Sequence, residues 1–306
     1  MKRNSILSIV AVAVCLLMSL VSLAASDTPK GSAGAGAAHP ELVVSTQWLA
    51  DHLNDPNLVI VHIAHDEGDY RAAHIPGARY LAMDKFATDQ MTKPGTELLP
   101  PDQLKKNLEE IGIGDDSRVV YYAPDWDPMA TRLFFTMDYL GHGNQAALLD
   151  GGLDQWAREK RPTSTQVSTG KPGSLTVHLH PEIIAKMDYM EKLVHHPEQD
   201  VVIVDARPSK RYRNGHLRGA ASLYWQNALV SEKEPLLKSP EQIRQLFTAA
   251  GIAGNKKAVS YCEIGLQASY VYLLARYLGF DAAMYDGSYS EWSEAKQPVV
   301  RGDSPE

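Results

Sequence analysis

Ala73-His74-Ile75-Pro76-Gly77-Ala78 returns later in the chain as Gly215-His216-Leu217-Arg218-Gly219-Ala220, an offset of 216 − 74 = 142. Three further pairs keep step with it. Pro101-Asp102-Gln103-Leu104 answers to Pro240-Glu241-Gln242-Ile243 (240 − 101 = 139), and Tyr139-Leu140-Gly141-His142 to Tyr277-Leu278-Gly279-Phe280 (278 − 140 = 138). Asp150-Gly151-Gly152 with Trp156 answers to Asp286-Gly287-Ser288 with Trp292 (292 − 156 = 136). The offsets drift slowly and stay in order, where chance matches would scatter, so they predict two copies of one domain. Residues 161–174, rich in Pro, Thr, Ser and Gly, read as the linker between a first domain over 41–160 and a second over 175–300.

Within each copy, strand and helix signals alternate. Leu58-Val59-Ile60-Val61, Arg118-Val119-Val120-Tyr121-Tyr122, Val201-Val202-Ile203-Val204 and Ala258-Val259-Ser260-Tyr261 are short apolar runs of the kind buried strands use. Ser239-Pro240-Glu241-Gln242 opens a helix with Ser as N-cap, Pro at the first position and Gln closing a capping box; Gly251 ends it. A further helix is expected from about Ala268 to Tyr277. The fold class is α/β, each domain a mainly parallel sheet flanked by helices. In such sheets ligands bind beyond the carboxyl ends of the strands.

The chain's 306 residues suffice for roughly two cores. Its 44% hydrophobic content excludes a disordered protein, and its net charge of −7 argues against a nucleic-acid binder, which needs a basic face. Lys2 and Arg3 precede an apolar run over 6–23, small residues follow, and a Gly/Ala/Ser stretch comes next. Residues 1–24 are therefore read as a secretory signal peptide and 25–40 as a flexible leader, in preference to an uncleaved anchor or a lipoprotein cysteine at Cys15. The protein is expected to be exported, periplasmic or secreted, with no stable membrane insertion after cleavage. Cleavage removes two positive charges, giving −7 − 2 = −9, and leaves Cys262 as the one cysteine.

Cys262 directly follows the strand run Ala258-Val259-Ser260-Tyr261, in a turn that leads into a helix. Such a loop curls its N–H groups inward and the helix dipole adds positive potential, which is expected to lower the thiol pKa. Gly265 suits the positive φ of a tight cradle. A buried structural cysteine is the competing reading. No metal site is expected, because His residues occur singly or as His195-His196, away from Cys or carboxylates at ligand spacing.

The tandem repeat, the two His-x-x-Gly-Ala segments and Cys262-x-x-Gly265 after a strand resemble a two-domain rhodanese, a sulfurtransferase of the thiosulfate/mercaptopyruvate type. Val204-Asp205-Ala206-Arg207, Arg211-Tyr212, Gly215-His216 and Tyr285-Asp286-Gly287-Ser288 with Glu291-Trp292 carry the likeness in the second half. The resemblance implies two tandem rhodanese-like domains, the second catalytic and the first an inactive copy. It implies that Cys262 takes a sulfane sulfur from a donor, holds it as a persulfide and passes it to a thiophilic acceptor such as cyanide or a thiol. Backbone amides of Glu263, Ile264, Gly265, Leu266, Gln267 and Ala268 would form the cradle, and Arg207 and Arg211 would meet the donor's anionic end. No cofactor is implied. Asp205 reads as a strand-end anchor, and His74 and His216 as fold-forming.

The first copy has Ala123-Pro124-Asp125 where the second has Cys262, hence no nucleophile; Trp126 and Met129 there read as packing. Glu263 would repel an anionic donor if it faced inward, and Ile264 lacks the hydroxyl of a mercaptopyruvate-type loop. Thiosulfate is the expected donor, polysulfide or another persulfide next, mercaptopyruvate behind. A cysteine phosphatase would need a loop one residue longer ending in Arg, whereas Ala268 stands six after Cys262. A non-catalytic sulfur carrier and a tandem module with an inert Cys262 compete with the enzyme. The oligomeric state is left open.

Overall fold

Apart from three successive strands over 221–237, strands alternate with helices from residue 43 to residue 294, as the apolar runs predict. The computed structural model describes residues 37–88, 96–124, 127–231 and 233–306; the signal-peptide reading, Cys15, most of the leader, Asp125 and Trp126 lie outside them. In the first half the order is β1 (Val43–Val44), α1 (Thr46–His52), β2 (Leu58–Ala64), α2 (Glu67–Ala72), β3 (Arg79–Ala82), α3 (Pro101–Glu110), β4 (Arg118–Tyr122), α4 (Met129–Tyr139), β5 (Ala146–Leu149) and α5 (Gly152–Arg158). The second half follows with β6 (Ile184–Ala185), α6 (Met187–His195), β7 (Val201–Asp205), α7 (Ser209–Asn214), β8 (Ala221–Ser222), β9 (Leu229–Ser231), β10 (Glu234–Leu237), α8 (Pro240–Ala249), β11 (Lys257–Tyr261), α9 (Leu266–Leu278), β12 (Ala282–Tyr285) and α10 (Ser288–Glu294).

The two halves make the same sheet. One runs β1-β5-β4-β2-β3 and the other β6-β12-β11-β7-β8, and every pairing in both is parallel. The fold class is as expected: two parallel-sheet α/β domains flanked by helices. Among the described strands, only the β9–β10 hairpin is antiparallel, and it stands outside that plan. Helix α8 carries both arms of the capping box, Gln242 N–H to Ser239 Oγ and Ser239 N–H to the Gln242 side chain.

Side-chain alternation along the strands sorts the core into three apolar layers. Val119 and Tyr121 of β4 enter the same cluster as Ala258 of β11, together with α4, α8 and α9. Val120 and Tyr122 face the outer layer of the first domain, and Val259 and Tyr261 that of the second. The central layer is thus common to both domains, and the described residues form one compact unit. Period two carries the inward face of β11 from Ala258 through Ser260 to Cys262, so the cysteine points into the layer between the domains.

Residues 161–174 have no helix or strand but are laced to the first domain. Ser164 and His74 exchange backbone hydrogen bonds, and the Gly173 N–H donates to Glu109 O. His74 stacks on Tyr70, with Nδ1 facing Tyr70 O and Nε2 facing Gln166 O. His216 stacks on Tyr212 in the same way and faces Tyr212 O and Ser304 O. Both histidines therefore pin a following segment to their domain.

Candidate active site

Cys262 is the first residue after β11, and Gly265 is the N-cap of α9 with φ of +94°. The Gly265 N–H donates to Cys262 Sγ at 3.1 Å. The amides of Ala268, Ile264 and Gln267 also aim at the sulfur. Only a glycine adopts this turn without strain, and a Cβ there would meet Asp286 O at 3.0 Å. Neighbouring elements brace the loop. The Cys262 N–H donates to Ser288 Oγ, which donates in turn to Tyr285 O; the Tyr289 N–H donates to Cys262 O. Ser288 holds a left-handed φ of +54°, an uncommon conformation for a non-glycine and one kept where surrounding structure enforces it. Ser260 Oγ donates to Ala268 O, tying strand to helix.

The first domain closes the site from the other side. Thr96 donates through both N–H and Oγ1 to Ile264 O, at 2.9 and 2.6 Å, and the Leu98 N–H donates to Asp286 Oδ2. Thr131 of α4 shares a 2.8 Å hydrogen bond with Ser269 of α9. Cys262 has no exposed surface. This reverses the expected thiol titration. Burial pushes the Cys262 thiol above its ordinary value, and the amides of Ala268, Ile264, Gly265 and Gln267 pull it back without winning. The cradle is present, but in this closed arrangement burial opposes the thiolate it would hold. A cavity of about 460 Å³ lies at the turn between β12 and α10, lined by Glu97, Lys186, Asp188, Asp286, Gly287 and Glu291 among others, and none of its described lining residues belongs to the Cys262 loop.

Arg207 and Arg211 part company. Arg207 is buried: Nε and Nη2 bind Asp205, Nη2 also reaches Gly215 O, and its guanidinium lies 3.9 Å from the Tyr289 ring centre. Burial works against its charge, but Asp205 overcomes this and the pKa is raised. Only Nη1 turns to the loop, 3.3 Å from Glu263 Oε2. Glu263 is therefore turned onto Arg207, a guanidinium it shares with the buried Asp205. Arg211 stands exposed on α7. Asp205 is the strand-end anchor expected, accepting from Tyr261 OH as well as from Arg207. Ile264, Leu266 and Gln267 are half-buried along the cradle, and Gly265 and Ala268 are buried.

The sequence profile of the rhodanese-like domain matches residues 45–159 and again 187–295. The chain belongs to the rhodanese family. This rhodanese is 30% identical to the sulfur carrier protein TtuD of Thermus thermophilus over 289 residues, 88% of this chain and 99% of the relative. It is 30% identical to a thiosulfate sulfurtransferase of Azotobacter vinelandii, covering 82% and 93%. Among solved structures, the 3-mercaptopyruvate enzyme SseA of Escherichia coli superposes with a TM-score of 0.72 at 24% identity, over 81% of this chain and 99% of that one. The chain is a homologue of sulfurtransferase enzymes along nearly all of its described length.

Sequence reasoning passed over three members of this site: Thr96, Asp286 as a contact residue, and Arg132. Arg132 lies in α4, fully buried, with Nη1 2.6 Å from Asp286 Oδ1. A lone arginine inside the apolar helix Met129–Tyr139 was the available signal.

Proposed function

We propose that this rhodanese moves sulfane sulfur from thiosulfate to a thiophilic acceptor through a persulfide on Cys262. The Cys262 thiolate attacks the outer sulfur of the donor. The donor's S–S bond breaks, sulfite leaves with the electron pair, and Cys–S–S⁻ remains. An acceptor such as cyanide or a thiol then attacks the outer sulfur and returns the thiolate. The observation that supports this reading is the convergence of loop amides on Cys262 Sγ at the N-terminus of α9, a cradle suited to a soft anion without a metal. Glu263 turns its carboxylate onto Arg207, which it shares with Asp205, and this softens the objection to an anionic donor. The absence of a hydroxyl at Ile264 favours thiosulfate, or a polysulfide, over mercaptopyruvate. Export, read from residues 1–24, is part of the proposal.

The complete burial of Cys262 favours one second reading, a carrier that loads stoichiometrically and turns over poorly. Intact mass before and after thiosulfate, with Cys262→Ala alongside, tests both. One added sulfur on the wild type alone, removed by cyanide, is the expected result. Rapid cyanide turnover assigns an enzyme, loading without turnover assigns a carrier, and no loading from thiosulfate, polysulfide or mercaptopyruvate overturns the proposal.

A further inference from the structure

Asp286 places a buried carboxylate against the loop that must hold an anion. Its Oδ1 lies 3.4 Å from where a Cβ on Gly265 would sit, and the Gly265 N–H is the donor to Cys262 Sγ. Left alone, that charge opposes both a thiolate and a persulfide on Cys262. The first domain, which has no thiol of its own, answers it. Arg132 of α4 is fully buried, and its Nη1 forms a close ion pair with Asp286 Oδ1 that is not aligned as a hydrogen bond. Its Nε and Nη2 have no hydrogen-bond partner among the described residues. A guanidinium so poorly satisfied is an expensive way to hold two domains together, which points to its charge rather than its bonds.

The molecule contains its own comparison. Asp150 is the first-domain counterpart of Asp286, and each accepts an N–H from the matching strap of the opposite domain: Leu98 to Asp286 Oδ2, Leu237 to Asp150 Oδ1 (237 − 98 = 139). The counterpart of Arg132 is Tyr270 (270 − 132 = 138, the offset of the paired helix ends). So the aspartate beside the cysteine has a cation at this position, and the aspartate beside the inert Ala123 loop has a tyrosine. Without a cation there, burial pushes the Asp150 carboxyl up to about 7. Of the two matched positions, the arginine stands at the one with an anion to protect.

We infer that Arg132 is a positioning residue for the second domain's chemistry, neutralising Asp286 so that the Gly265 turn can support a negative sulfur on Cys262. The inference rests on the reading of Cys262 as the sulfur-bearing nucleophile. The other charged groups near the loop are Glu263 and Asp205, which share Arg207, and Glu97, Lys186, Asp188 and Glu291 around the cavity at Asp286. None of these changes in the test.

The test is the pH profile of Cys262 alkylation by iodoacetamide in the full mature chain, followed by mass. Arg132→Met is expected to move the midpoint up by about one pH unit, some tenfold slower reaction at a fixed pH below it. Asp286→Asn is expected to move it down. Arg132→Lys should stay near the wild type, and the electroneutral double variant Arg132→Met/Asp286→Asn should return toward it. The double variant leaves no charge unpaired, so it keeps the test alive if Arg132→Met alone fails to fold. Equal midpoints in wild type, Asp286→Asn and the double variant would overturn the inference, as would shifts of the two single variants in the same direction. Alkylation needs no sulfur donor, so this readout stands apart from persulfide loading, whose failure in the wild type would count against the sulfurtransfer reading instead.

Discussion

Cys262 depends on the backbone more than on side chains: the sulfur is held by amides, and Gly265 makes their convergence possible. Gly265→Ala tests this at a single atom. The added Cβ would sit at φ of +94° and 3.0 Å from Asp286 O. A left-handed alanine costs about 1–2 kcal/mol, so urea unfolding should show a loss of at least that size. Intact mass should show little or no sulfur on this variant after thiosulfate. Full loading would mean that the amide geometry is not what retains the sulfur. The cysteine, the glycine and the loop between them were legible in the sequence because strand end, positive-φ residue and helix start are local signals. The direction of the thiol's titration was not. It is set by burial in the layer between the domains, and nothing local records what covers a residue.

Among the elements, α4 and α9 form the seam between the domains. Their polar contacts are few and close: Thr131 with Ser269, and Asp138 of α4 with both Tyr272 OH at 2.6 Å and Arg276 Nη1 at 3.2 Å. Phe135 meets the Tyr272 ring edge-on at 5.0 Å. Tyr272→Phe keeps that ring contact and removes one hydrogen bond to a buried carboxylate, which is expected to cost about 1.5–3 kcal/mol. Urea unfolding should show it as a lower midpoint of a single transition, since the seam belongs to both domains; a loss below about 0.5 kcal/mol would mean that Arg276 alone satisfies Asp138. The strands and α8 could be read from apolar runs and caps. The β9–β10 hairpin and residues 96–98 could not, because they have no periodic pattern and gain their structure from the opposite domain.

At the scale of the whole molecule, the repeat made the two-domain plan legible but hid the relation between the domains. A search for similarity finds where the copies agree, whereas the contacts around Cys262 also use positions where they differ, Arg132 against Tyr270 and Thr96 against Pro235. The same asymmetry shapes stability against pH. Burial lifts the Asp150 carboxyl from 3.8 to about 7, against the N–H groups of Leu237 and Gly151. Between about pH 4 and 7 the unfolded chain has released this proton and the folded chain has not, so Asp150 removes on the order of 4 kcal/mol of stability as pH rises. His62, buried beneath Tyr70 and Tyr122, works the other way. Burial first, and His74 second, lower it from 6.5 to about 4. It stays neutral when folded while the unfolded chain gains a proton, so stability on the order of 3 kcal/mol is lost as pH falls from 6.5 to about 4. The two effects nearly cancel across one window, and the contribution of this pair to the wild-type curve should be almost flat there. Asp150→Asn removes the first and should expose the second. Urea midpoints measured from pH 4 to 7 should then climb with pH relative to the wild type, while His62→Gln should make them fall. An Asp150→Asn curve parallel to the wild type would show that burial does not keep Asp150 protonated against the N–H groups of Leu237 and Gly151.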